Sequence, residues 1–305
     1  MIGSRTGADE LGWRPPEATP VGAVETRAGV RRWWRRFARN RGAVFGLGVF
    51  LTMVVMAVSA DVLAPFDPLA QGVGPALQGP SLRHWAGTDS FGRDMLSRII
   101  HGARIALVVG IVAVLISLVV GVTLGLVAGY YGGPLDALIM RVMDGLFAFP
   151  VIFLAIATMT IMGFGVMNVI VAVAVGFVAP FARVTRGDVL AVREEPYIEA
   201  ARLAGVSNLA IILHHVLPNV VAPIIVQGAL YVSGAIIIEA GLSFLGLGPP
   251  PPTPVWGSMI AEGRNFIVMA PHVSTIPGLV LTVTVVGLNL FGDGIRDTLD
   301  PRLRQ

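Results

Sequence analysis

Three carboxylates stand where a charge could do work. Glu199 is followed by Ala200 and Ala201, inside a polar-edged stretch from Glu194 to Asn219 that lies between long apolar segments. A charge next to two tiny side chains lets a partner surface approach closely and pair the carboxylate, which is recognition chemistry rather than catalysis. Asp144 follows Arg141 by three residues, a spacing that brings both side chains onto one helix face. It either pairs with Arg141 or lines a pore. Glu239 sits in an apolar run, where a charge costs roughly 2.5–3.5 kcal/mol at a helix centre and normally faces a cavity or a partner. It either faces a translocation path or hydrogen-bonds a neighbouring helix.

The missing residue types exclude several chemistries. All 22 basic residues are Arg, and there is no Lys and no Cys. Without Lys there is no phosphate-binding Gly-x-x-x-x-Gly-Lys loop and no Schiff-base chemistry, so any ATP is handled by another chain. Without Cys there is no disulfide, thiolate nucleophile or iron–sulfur ligation. His214 and His215 are adjacent, so on a helix they diverge by about 100° and make no i, i+4 metal pair; they read as packing or loop-contact residues. Neither His-Glu-x-x-His nor Gly-x-Ser-x-Gly occurs, which argues against a membrane-embedded hydrolase. No catalytic, metal or cofactor site is expected in this chain.

The element that must position Glu199 is a helix–turn–helix. Pro196 suits the first turn of a helix, and Glu194, Glu195 and Glu199 place negative charge near its positive end. Gly205 can close that helix in the left-handed conformation, and Ser207 can cap the next. Leu209, Ile212, Leu213 and Val216 then share a face at i, i+3, i+4 and i+7, and Pro218 discourages continuation.

Around this stretch the chain is 54% hydrophobic and 13% charged, the composition of a polytopic membrane protein. The fold class expected is all-α with six transmembrane helices, each near the roughly 20 apolar residues that cross a bilayer. Their limits read Ala43 to Ala60, Ile105 to Gly129, Gly145 to Met162, Val166 to Ala182, Val220 to Leu245 and Ile276 to Phe291. Met1 to Thr26 lacks hydrophobic periodicity and reads as a disordered cytoplasmic tail. The basic block Arg31 to Arg41 reads as an interfacial helix with Trp33, Trp34 and Phe37 in the membrane boundary. Those arginines put the N-terminus inside, and an even number of spans returns the C-terminus to the same side, with Glu199 in the cytoplasm. Gly121, Gly125 and Gly129 form a doubled small-xxx-small face on which another helix packs closely.

The stretch around Glu199 resembles the EAA loop of binding-protein-dependent ABC importer permeases, matching at Glu199, Ala200, Ala201, Gly205, Leu217 and Pro218 and departing at His215, where the pattern has Ile. Gly87-Thr88-Asp89, Gly92-Arg93-Asp94 and Ser97-Arg98 resemble the dipeptide, oligopeptide and nickel branch. So do Gly241 to Gly248, the Pro-rich run leading to Trp256-Gly257, and the ending from Gly292 to Arg302. The resemblance implies the type I importer permease fold. It implies that Glu199, Ala200, Ala201, Gly205 and Pro218 form a coupling helix seated in a groove of an ATPase subunit, with ATP and Mg bound by the ATPases.

It further implies a permease subunit for di- or oligopeptides in the bacterial cytoplasmic membrane; nickel or a glutathione-like solute are the alternatives. The implied partners are a second, homologous permease, two ATPase subunits, an extracytoplasmic solute-binding protein and the bilayer, without nucleic acid. Asp144 and Glu239 are the candidates for the translocation path. The segment Pro249 to Trp256 would meet the binding protein or cover the pore. Arg296, Asp297, Asp300, Pro301 and Arg302 would brace the coupling loop or pair among themselves. The expected organisation is a tail and interfacial helix (1–41), a first span with an extracytoplasmic segment (42–104), a five-helix core (105–292) with the coupling loop at 183–219, and a cytoplasmic tail (293–305). A self-sufficient secondary transporter is the rival; the sequence has neither the internal repeat nor the midplane carboxylate cluster it would need.

Overall fold

The computed structural model describes residues 34–299; the expectations for Met1 to Thr26, for Arg31, Arg32 and Trp33, and for Asp300, Pro301 and Arg302 lie outside them. Among the described residues the chain is helical. A short helix, α1 (34–39), is followed by α2 (Arg41–Val58), α3 (Ala60–Leu63), α4 (Met95–Tyr131), α5 (Gly133–Phe147) and α6 (Val151–Met162). Then come α7 (Val166–Val192), α8 (Pro196–Leu203), α9 (Asn208–Ile211), α10 (Leu217–Phe244), α11 (Trp256–Arg264) and α12 (His272–Leu299). Five helical stretches are long and apolar enough to cross a membrane: α2, α4, α7, α12 and the run Asn208–Phe244, in which a π turn, Ile212–Val216, joins α9 to α10. A sixth crossing would take α5 and α6 together, and this pair is bent by 91° at residues 148–150.

That bend corrects the expectation of one straight span from Gly145 to Met162. Pro150 lacks an amide donor and pushes Phe149 out of the helical region, so the ladder is interrupted there. α6 is left with 12 residues, about 18 Å, too short to cross alone. Pro218 is the opposite case. It was expected to discourage continuation, yet the helix runs through it. The π turn absorbs the proline: Leu217 N–H bonds the Ile212 carbonyl five residues back, and Asn219 Nδ2 donates to the His215 carbonyl at 2.6 Å.

The glycine face packs as its spacing indicates. Gly121, Gly125 and Gly129 of α4 lie against Phe181, Ala182 and Val189 of α7, so closely that a Cβ on Gly125 would sit 2.6 Å from the Ala182 carbonyl oxygen. Ser117 Oγ donates to the Ala174 carbonyl at 2.9 Å along the same seam. α10 packs on α4, α7 and α12, and α2 packs on α12, where Gly46 meets the backbone at Gly287 and Phe291. Phe37 is buried against Phe291 and Gly294.

At the start of α4 a buried polar network ties the loop 64–94 to α11 and α12. Asp94 caps α4, its Oδ2 accepting from Ser97 N–H and Oγ at 2.8 and 2.7 Å, while its Oδ1 lies 2.9 Å from His84 Nδ1. Asp89 holds Arg93 Nε at 2.6 Å, Arg93 reaches Glu262 of α11 at 3.0 Å, and His272 Nε2 lies 3.2 Å from the Thr88 carbonyl. Trp256 ends the segment expected to meet the binding protein or to cover the pore. It is enclosed over Gly102, donating from Nε1 to the Ile99 carbonyl at 2.9 Å, because the missing Cβ at Gly102 opens a slot for the indole.

Candidate functional site

At the other end of α4, α8 stands out from the bundle on a few anchors. Glu195 has extended backbone at the N-cap position and Pro196 opens the helix. Gly205, at φ +78°, closes it: Gly205 N–H bonds the Arg202 carbonyl at 3.0 Å and Val206 N–H the Ala201 carbonyl at 3.1 Å, the paired bonds of a left-handed helix stop. Ser207 Oγ then accepts from Ala210 N–H to start α9.

Ile198 is the inward anchor, fully buried in the cluster that holds Val189, Ile211, Ile212 and Val216, with Ala201 packed beside it. Glu199 and Ala200 are on the outer side. Among the described residues Glu199 has no hydrogen-bond or ion-pair partner, and around it Tyr197, Leu203 (83% exposed), Val206 and Leu209 leave apolar surface uncovered. The face expected for the second helix is therefore corrected. Ile212 and Val216 point inward as expected, joined by Ile211 and Val220, while Leu209 and Leu213 point out, so half of the expected face is buried.

Residues that the spacing argument missed hold this unit to the bundle. Tyr130, at the end of α4, donates its hydroxyl to Asn208 Oδ1 at 2.9 Å, and its ring lies 5.2 Å from the Arg202 guanidinium carbon. Arg193 donates to the Gly129 carbonyl at 2.9 Å. Within the bundle beside it, Arg186 ties α7 to Asp136 of α5 through two bonds of 2.5 and 2.6 Å. The available sequence signal was an aromatic and arginines at the ends of α4 and α7, with nothing to say which met which.

Asp144 does not pair with Arg141. It lies in the last turn of α5, and Arg183 of α7 donates to its Oδ1 at 2.6 Å while stacking 4.2 Å from the Phe147 ring centre. Glu239 is 1% exposed and accepts from Ser243 Oγ at 2.7 Å on its own helix, α10, rather than from a neighbouring one. Pro218 is exposed beside the π turn. Asp297 of α12 accepts from Asn40 Nδ2 at 3.2 Å, so this part of the C-terminal stretch braces the start of α2 rather than α8. Among the described residues no group of three His, Asp or Glu side chains could hold a metal ion.

Known proteins resemble this chain in sequence and fold. Residues 121–305 match the family described as binding-protein-dependent transport system inner membrane component, and residues 30–80 match the N-terminal TM domain of oligopeptide transport permease C. A glutathione transport system permease protein, GsiD, of Pectobacterium atrosepticum is 48% identical over 90% of this chain and 91% of its own. The dipeptide transport system permease protein DppC of Alkalihalophilus pseudofirmus is 44% identical over 90% of both. Among solved structures, inward-facing MetNI methionine ABC transporter superposes with a TM-score of 0.54 at 20% identity, covering 67% of this chain and 97% of that one, a likeness of fold. With the family match spanning most of the chain and relatives this similar over nearly their whole length, the protein belongs to the inner membrane components of binding-protein-dependent transport systems, as one of their transmembrane permeases.

Proposed function

We propose that this chain is one permease subunit of an ATP-driven importer of di- or oligopeptides, glutathione being itself a tripeptide. Its N- and C-termini and α8 face the cytoplasm. The observation that carries the coupling role is α8 itself: Glu199 unpaired, Ala200 small, apolar residues uncovered around them, and Ile198 and Tyr130 holding the rest to the bundle. Such a ridge fits a groove on an ATPase subunit that supplies ATP and Mg chemistry. Gly205 sets the angle of the ridge, and the π turn near Pro218 passes its motion into α10.

Closure of two ATPase sites moves the groove and with it α8; this drives transport because the closed ATPases hold one state of the spans better than the other. A second, homologous permease completes the pathway, and an extracytoplasmic binding protein delivers the solute. Asp144 lies along that pathway. Glu239, enclosed here, would reach it where α10 shifts against its neighbours.

The test is mass spectrometry of proteins that co-purify with the tagged chain from native membranes, beside Glu199→Arg. Reversing a charge paired at an interface costs roughly 2–5 kcal/mol. The wild type should retain an ATPase and a second permease, and the variant should lose the ATPase alone. A wild-type chain that purifies alone and still imports solute would overturn the reading.

A further inference from the structure

We propose that the elbow between α5 and α6, with Asp144 and Arg183, is a water-filled, bipolar subsite of the transport path that takes a zwitterionic solute, its ammonium at Asp144 and its carboxylate at Arg183. This rests on the permease reading above and gives the pathway residue Asp144 a partner and a ligand chemistry.

Two ion pairs join α5 to α7, and they differ. Asp136 and Arg186 form a closed, two-bond pair, 15% and 32% exposed. Asp144 and Arg183 share a single bond and are 58% and 39% exposed, so Asp144 Oδ2 and the remaining Arg183 donors are left to another partner. The first pair is a brace; the second is open.

The backbone beside the open pair is also unsatisfied. Ala148 and Phe149 N–H turn back to the Asp144 and Leu146 carbonyls, and Phe153 and Leu154 N–H bond the Pro150 carbonyl. No backbone donor among the described residues reaches the carbonyls of Phe147, Ala148 and Phe149. These carbonyls form the negative end of α5, next to Asp144, and suit an ammonium group.

Depth decides what surrounds them. α7 is apolar from Val166 to Ala182, and Val151, the first residue of α6, abuts Gly176 within that stretch. Gly176 is seven residues, about 10 Å, from Arg183 along the helix. The elbow therefore reaches into the apolar zone. Free carbonyls and a half-exposed charge pair are not left facing hydrocarbon; such backbone occurs at membrane depth where it lines protein or a water-filled cavity. Phe147, Phe149 and Phe153 are exposed at the same place. Broken helices are where transporters of other folds hold their solutes.

The absence of Cys allows a direct test. Phe149→Cys is made in the full transporter, with both permeases and the ATPases, in nanodiscs, and the rates of modification by cationic and anionic methanethiosulfonates are measured. Both reagents should react, the cationic one faster. Asp144→Asn should slow the cationic reagent, and Arg183→Gln the anionic one, each by roughly threefold to tenfold. Dialanine should slow modification, and acetylated, amide-capped dialanine should not. A cysteine that reacts only with a membrane-permeant maleimide faces lipid, and one that reacts with neither class is covered by protein; either overturns the proposal. Equal effects of the two peptides overturn the zwitterion chemistry. ATP-driven uptake by the same preparation, reconstituted with its binding protein, separates the failures: uptake with an unreactive cysteine sinks only the subsite, whereas a wild type without ATP-driven uptake sinks the permease reading.

Discussion

The α4–α7 seam gives a sharp stability prediction through a single methyl group. At Gly125 an added Cβ would lie 2.6 Å from the Ala182 carbonyl oxygen, 2.7 Å from Thr185 Cβ and 3.1 Å from Arg186 N. Two of these are backbone atoms of a packed helix and cannot swing aside. At Gly187, on α7, an added Cβ meets nothing within 4 Å. Both substitutions to Ala gain the same helix preference, up to about 1 kcal/mol. Only Gly125→Ala adds overpacking, typically about 1–3 kcal/mol. Gly125→Ala should thus be less stable than Gly187→Ala by about 1–3 kcal/mol, which at roughly 2–4 °C per kcal/mol separates their melting temperatures by several degrees. Thermal unfolding of the two purified variants in one detergent, at one scan rate, measures the gap. If Gly125→Ala melts at or above Gly187→Ala, the seam is not held by close backbone approach.

Two further outcomes follow from single contacts. Tyr130→Phe removes the hydroxyl bond to Asn208, about 1 kcal/mol, and leaves the ring beneath Arg202; the ATPase should still co-purify while more ATP is consumed per solute imported, and unchanged stoichiometry would refute a role in transmitting motion. Asp61, on α3, is held below its ordinary value of 3.8, first by its hydrogen bond from Arg104 and then by His101. A carboxyl with a depressed folded pKa stabilises above its unfolded value and loses that contribution as pH falls through the folded one. The stability difference between wild type and Asp61→Asn should therefore be present at neutral pH and vanish in acid, and a difference that grows on acidification would contradict the pairing.

Much of the fold was legible because apolar length and glycine spacing are local signals. The seam of Gly121, Gly125 and Gly129 could be read from their four-residue repeat, though not that α7 was the partner. The helix stop at Gly205 was legible because a left-handed turn has few residue choices. Prolines misled in both directions. Pro150 lies within an apolar run whose length gives no sign of a break, yet α5 and α6 bend there by 91°. Pro218 was weighted as a stop, yet one extra residue in a π turn and the side chain of Asn219 satisfied the backbone around it. The charge partners were illegible for a different reason. Arg141 is the nearest cation to Asp144 in sequence, but α5 packs against α7 and offers Arg183 at 2.6 Å. Tertiary packing overrides helical spacing there, and no single-sequence periodicity reports it.

The network at the start of α4 has a consequence for biosynthesis. Arg93 and Glu262 are 169 residues apart, and Thr88 and His272 are 184 apart. A ribosome adding about 5–20 residues per second delivers α11 roughly 10–30 s after Arg93 has emerged. Through that interval Arg93 and Arg98 have left the ribosome without Glu262. A chain stalled or cut before α11 leaves Arg93 and Arg98 to share Asp89 without the second carboxylate that the complete fold provides.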